Sequence, residues 1–137
     1  MTRIIHPEGW KPARGYANGV LSPSGTLYVG GQIGWNAEQV FEAQDFPAQV
    51  AQALRNVRAV VEAAGGSADD IVRLTWYVTD KQLYLSGLRE IGAIYREVMG
   101  RHFPAMTMVE VVALVEDAAL VEIEATAEIA ARRSAPE

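Results

Sequence analysis

Cysteine is absent from the 137 residues, and histidine occurs only at His6 and His102. The first absence removes disulfides, thiol nucleophiles and thiolate metal ligands. With no further ligand spaced beside either histidine, no metal site is expected. Long apolar runs are missing too. No stretch reaches the length of a membrane span, and residues 1–10, MTRIIHPEGW, lack the apolar centre of a signal peptide, so the expectation is a cytoplasmic protein with no membrane partner. Positive charge is the scarcer sign: 12 Lys and Arg stand against 17 Asp and Glu, for a net charge of −5. The arginines are scattered, which leaves no footprint for a phosphate backbone and argues against nucleic acid. The glycine-rich GGQIG at residues 30–34 lacks the GxxxxGK[ST] spacing of a phosphate loop.

What is present fits a single domain over residues 1–137, large enough to close a core without staples. Residues 1–15, broken by Pro7, Gly9, Pro12 and Gly15, read as an N-terminal coil, and the polar residues 130–137 as a frayed tail. A hairpin is expected from a strand at residues 16–21, the turn SPSG, and the strand TLYV closed by Gly30 and Gly31. That glycine pair marks either a bulge or a turn that cradles a ligand. Asp45 caps a first helix with Pro47 in its first turn. Val50, Leu54, Val57 and Val61 line its inner face, with Gln49, Gln52 and Arg55 outside. IVRLTWYVT at residues 71–79 is a central strand, and Asp80 opens a second helix carried by Tyr84, Leu88, Ile91, Tyr95 and Val98 as far as Gly100.

Residues 103–129, FPAMTMVEVVALVEDAALVEIEATAEI, read as two strands joined near Glu116. The second alternates cleanly, with Val121, Ile123, Ala125 and Ala127 on one face and Glu122, Glu124 and Glu128 on the other. A two-residue turn would set Glu110 opposite Ile123 in the core, where an unpaired carboxylate is costly. A three-residue connection over residues 116–118 avoids that and puts Met106, Met108 and Glu110 on the face of Glu122 and Glu124. Such a face is too apolar for plain solvent and too acidic for a core, which suggests a cleft or a subunit interface. The resulting fold class is α+β, a mixed sheet with two helices packed on one face. The open face calls for other subunits to cover it.

The segments GYANGV, VGGQIGWN, AQALRNVRAVVEAAG, DIVRLTWYVTD, FPAMTMVEV and VEIEATA together resemble the RidA (reactive intermediate deaminase) family, some of whose members were named endoribonucleases. The resemblance runs over residues 16–127. It implies a chorismate-mutase-like fold assembled as a homotrimer with clefts between subunits, and a cofactor-free hydrolysis of enamines or imines to keto acids and ammonia. Carried over, the family's tyrosine falls on Tyr16 and its water-positioning glutamate on Glu122. The substrate-binding positions further include Gly30, where the family has serine, and Gly31. Met108 stands at a position often cysteine, and the family's helix asparagine falls nearest Gly92. The arginine that holds the substrate carboxylate falls on Met106, a thioether with neither charge nor strong donors.

Three functions follow from these residues. One is an enamine or imine deaminase with Glu122 as its catalytic base and specificity altered at Met106. Another is a non-catalytic trimer that holds a small ligand such as a keto acid. The third, an endoribonuclease, rests on the family's older name and is opposed by the acidic balance. Glu122 can also be read as a solvated strand carboxylate. Arg14, Arg101 and His102 are candidate replacements for the missing cation.

Overall fold

The computed structural model describes residues 1–129, so the tail expected to fray lies outside the described residues. Six strands form one sheet in the order β1-β2-β3-β6-β4-β5. They are β1 (Arg3–Ile5), β2 (Gly19–Leu21), β3 (Thr26–Ile33), β4 (Ile71–Val78), β5 (Ala105–Glu110) and β6 (Val121–Glu128). The helices are α1 (Phe46–Ala63), α2 (Lys81–Leu85) and α3 (Leu88–Met99).

The N-terminal segment is not all coil. Arg3, Ile4 and Ile5 pair antiparallel with Leu21, Val20 and Gly19, and Ile5 is buried in the core. A strand of three residues gives too short a signal to stand out among the breakers that follow. β3 also runs on past the glycine pair to Ile33, with its register to β6 shifting between Val29 and Gln32. The pair is thus a bulge within a strand rather than its end.

α1 forms where its signals lie. The Asp45 carboxylate accepts from the Ala48 N–H at 3.2 Å, a proline occupies the first turn, and Val50, Leu54, Val57 and Val61 are buried. They pack on Leu27, Ile123 and Ala127 of the sheet. Each large aliphatic side chain removed from water there contributes about 1.5–3 kcal/mol. The expected second helix is two: Asp80 caps α2 by accepting from the Gln82 N–H at 2.9 Å, and the chain breaks at Ser86 and Gly87 before α3 begins. The low helix propensity of glycine explains the break.

The largest correction concerns residues 103–129, which are not a hairpin. β5 lies parallel to β4 at the sheet edge, and β6 inserts antiparallel between β3 and β4. α2 and α3 form the crossover between β4 and β5, and a crossover of that length delivers a parallel neighbour. Residues 111–120 then return as a loop, so Val112, Ala113 and Val115 belong to no strand.

This pairing reverses the faces. Trp76 lies opposite Ile123 on one side and Met108 on the other, while Leu74 lies opposite Ala125 and Met106. Met106 and Met108 therefore share the helix-covered face. Tyr77, opposite Glu122 and Val109, lies on the other, and Thr75 lies there with Glu124. No described element covers that second face, where Tyr28 and Val109 stand exposed.

Candidate functional site

Glu122 sits on the open face where β3 bulges. A Cβ built on Gly31 would run into its carboxylate, and would lie 2.7 Å from its Cδ and 2.9 Å from its Cγ. Only glycine lets the side chain lie flat over β3 at this point. The carboxylate opens onto a cleft of 330 Å³ whose walls include Tyr16, Gly30, Gly31, Trp35, Val115 and Glu116. A shallower groove of 270 Å³ continues past it to Tyr77, Leu114 and Glu124. Burial raises the Glu122 pKa above the ordinary carboxylate range, and the negative charge of Glu124 raises it further. Tyr77, between the two acids, has its hydroxyl pKa raised chiefly by the charge of Glu124, with desolvation and the charge of Glu122 adding to it.

Polar side chains buried behind the cleft fix its walls. The Gln32 amide donates to the Asn18 side-chain oxygen at 3.1 Å and to the Gly30 carbonyl at 3.1 Å. The Asn18 amide donates to His6 Nδ1 at 3.3 Å, and His6 Nε2–H donates to the Trp10 carbonyl at 3.0 Å. That chain, with His6 Nε2 as donor and Nδ1 as acceptor, ties the N-terminal segment to the strand bearing the glycines. From α1, Asn56 donates to the carbonyls of Ile33 and Trp35 at 3.0 and 2.8 Å. Gln49, expected on the outer face, is 1% exposed; it donates to the Ala43 and Ala118 carbonyls and accepts from the Leu120 N–H at 2.8 Å. It anchors the loop that brings Val115 and Glu116 to the cleft.

Met106 and Met108 do not join this site within one chain. They line a second cleft of 150 Å³ between β5 and α3, together with Trp76, Tyr95, Arg96 and Phe103. Gly92 is there as well. Phe103 stacks on Tyr95 at 5.3 Å, and burial raises the Tyr95 hydroxyl pKa to about 12 while that hydroxyl donates to the His102 carbonyl at 3.1 Å. His102 is committed to structure, its Nε2–H donating to the Ile71 carbonyl at 2.6 Å. Arg14 and Arg101 line neither cleft. Glu110 is exposed on the edge strand and accepts from the Lys81 N–H at 2.9 Å, at the start of α2. The burial cost that argued against the first register thus never arises.

Among the expected site residues, then, Tyr16, Gly30, Gly31 and Glu122 converge, and Met106 and Met108 line a separate cleft on the opposite face. Sequence reasoning missed Arg96 and Trp35. An (i, i+4) spacing from Gly92 was the available signal for Arg96. Trp35 offered none beyond its place after the glycine pair. Chemically, the first cleft offers a carboxylate of raised basicity beside small backbone, suited to taking a proton from water. The second offers apolar walls and one guanidinium.

Residues 8–129 match the family model of the endoribonuclease L-PSP proteins. The chain is 37% identical over 118 residues to a 2-iminobutanoate/2-iminopropanoate deaminase of Salmonella typhimurium, covering 83% of this chain and 88% of that one. Among solved structures, the YjgF gene product of Escherichia coli superposes with a TM-score of 0.77 at 35% identity, over 92% of this chain and 98% of that one. A protein of the Rid family from Yersinia pestis, YyfA, superposes with a TM-score of 0.80 at 32% identity, over 94% and 100%. With that extent of match in both sequence and fold, the chain belongs to the endoribonuclease L-PSP family, that of the RidA and YjgF proteins.

Proposed function

We propose that this protein hydrolyses an imine or enamine to the corresponding carbonyl compound and ammonia, with Glu122 as the general base. The observation that carries this reading is the Glu122 carboxylate itself, laid over Gly31 in a cleft and made more basic by burial and by Glu124. Glu122 takes a proton from water, and the hydroxide so formed adds to the carbon of C=N. The nitrogen is protonated in the same step, giving a carbinolamine. The carbinolamine loses ammonia as its hydroxyl proton departs, leaving C=O. An enamine enters this sequence once protonated at carbon to its imine. Water and proton transfer suffice, so the reaction calls for no cofactor. The name of the Salmonella typhimurium relative, a deaminase of two small 2-imino acids, supports the same reaction class.

The two half-sites lie on opposite faces of one sheet, so a substrate can touch both only if a second copy presents its α3 and β5 edge to the open face. We take the working unit to be a homotrimer closed in this way. Each cleft then combines Glu122, Tyr16 and Gly31 of one copy with Met106 and Met108 of the next. Light scattering on a sizing column checks the assembly, and a monomeric mass at micromolar concentration removes the shared site.

The activity test uses imines generated in situ from amino acids by an amino-acid oxidase, with ammonia release followed over time. Glu122→Gln should lower turnover by about 10²- to 10⁴-fold, and Glu124→Gln, on the same face, by far less. Equal losses from the two substitutions would assign Glu122 a general electrostatic role instead. Met106 in place of a cation favours a second reading, a trimer that binds a small ligand without turnover. It prevails if ligands raise the melting temperature while no imine is hydrolysed faster than in buffer. The ribonuclease reading has the net charge of −5 against it.

A further inference from the structure

The cleft between α3 and β5 contains one cation, Arg96, and the sequence around it makes room for that side chain. Helical side chains lean toward the preceding turn, so Arg96 reaches back over residue 92. Residue 92 is glycine, and a Cβ there would touch Arg96 Nη1 at 3.5 Å. A longer side chain at 92 would compete for the space the guanidinium occupies. Among the described residues no carboxylate forms an ion pair with Arg96, the sole side-chain pair being Arg58 with Glu62. The remaining walls, among them Trp76, Leu88, Phe103, Met106 and Met108, are apolar apart from the hydroxyls of Tyr84 and Tyr95. Trp76, 2% exposed, carries the one buried side-chain N–H without a hydrogen-bond partner among the described residues. A buried donor left unpaired is costly, and an acceptor brought into the cleft would relieve that cost.

We propose that Arg96 holds the carboxylate of a 2-imino or 2-keto acid, replacing the cation absent at Met106, and that the apolar cleft beside it selects ligands with a branched aliphatic side chain. The choice of ligand class rests on the imine-hydrolase reading. A guanidinium freed from protein acids suits a bidentate contact with a carboxylate. The cleft's 150 Å³ leaves room for a branched aliphatic side chain. The methionines, flexible and polarisable, conform to a branched chain better than a charged side chain would.

The test is calorimetric titration of the intact protein with 4-methyl-2-oxopentanoate, 2-oxopropanoate and the uncharged 4-methyl-2-oxopentanamide. The expected order for the wild type is the branched acid tightest and the small acid weaker. Arg96→Gln should weaken the branched acid about ten- to a hundredfold and leave the amide unchanged. In that background Met106→Arg should restore acid binding. The proposal is overturned if Arg96→Gln binds the acid as tightly as the wild type, or if acid and amide lose affinity equally. It is also overturned if the wild type binds no keto acid at millimolar concentration. Turnover is read in parallel. Imine hydrolysis indifferent to Arg96→Gln sinks the clamp and leaves the hydrolase reading standing, whereas Arg96-dependent keto-acid binding with no hydrolysis keeps the clamp and sinks the hydrolase.

Discussion

Gly31→Ala perturbs the candidate site through a single methyl group. Its Cβ would arrive within 2.7 Å of Glu122 Cδ and 2.9 Å of Cγ, with the carboxylate closer still, whereas ordinary contact begins near 3.4 Å. The Glu122 head must therefore retreat by roughly 1 Å, a misplacement worth on the order of a hundredfold in rate for a group that must meet the reacting atom. The fold should tolerate the change. Gly31 is exposed and its φ is not positive, and what it would strike is a side chain free to turn rather than backbone. The expected outcome is a loss of kcat of about a hundredfold with a melting temperature within a few degrees of the wild type, measured by ammonia release and by circular dichroism. Gly30→Ala, whose Cβ would meet the Ala17 carbonyl at 3.1 Å and not Glu122, serves as the control on backbone effects. If Gly31→Ala keeps full activity, the position of Glu122 does not matter and its role as base is lost.

Further outcomes follow from the same geometry. Burial raises the Glu122 pKa in the folded state, so its ionisation costs stability that is present at low pH and lost as pH rises through the folded value. Glu122→Gln should therefore match or exceed the wild-type melting temperature at neutral pH, with the advantage vanishing on acidification below the ordinary carboxylate range; a less stable Gln variant at neutral pH would contradict the burial. Wild-type turnover should in turn fall at acid pH from a point above that ordinary range. Small 2-imino acids should be poor substrates because they leave the apolar cleft unfilled, and in an Arg96→Gln background Met106→Arg should speed their hydrolysis about ten- to a hundredfold, as steady-state kinetics would reveal. Gln49→Ala leaves two carbonyls and one N–H without their partner and should cost about 2–4 kcal/mol in urea unfolding; a cost under ~1 kcal/mol would show that water replaces the amide.

Local features were legible in the sequence because local physics decides them. The alternation of β6, the Asp45 cap, the inner stripe of α1 and the bulge at Gly30 and Gly31 all appear where residue chemistry placed them. Strand partners are a non-local matter. The period-2 pattern of β5 was correct along the strand, but pairing it with β6 instead of β4 assigned Met106 and Met108 to the wrong face. The crossover of α2 and α3 was the cue, since a strand after such a connection returns parallel. Gln49 escaped notice because a polar residue on a helix reads as outward, and its three partners lie as far as Leu120. Arg96 is exposed by position, and only the fold shows that it lines the cleft between α3 and β5.

The central claim is a hydrolytic site shared between copies of the chain, and mixing two inactive variants tests it most directly. Glu122→Gln removes the base, while Met106→Trp, on an exposed edge strand, fills the apolar half-site and leaves Glu122 intact. Co-refolded one to one, with mixed assemblies verified by native mass spectrometry, the pair should regain activity at about a quarter of the sites, those where an intact Glu122 meets an intact Met106 from a neighbour. Mixed assemblies that stay as inactive as either parent would contradict the account, because they would place the whole site within one chain.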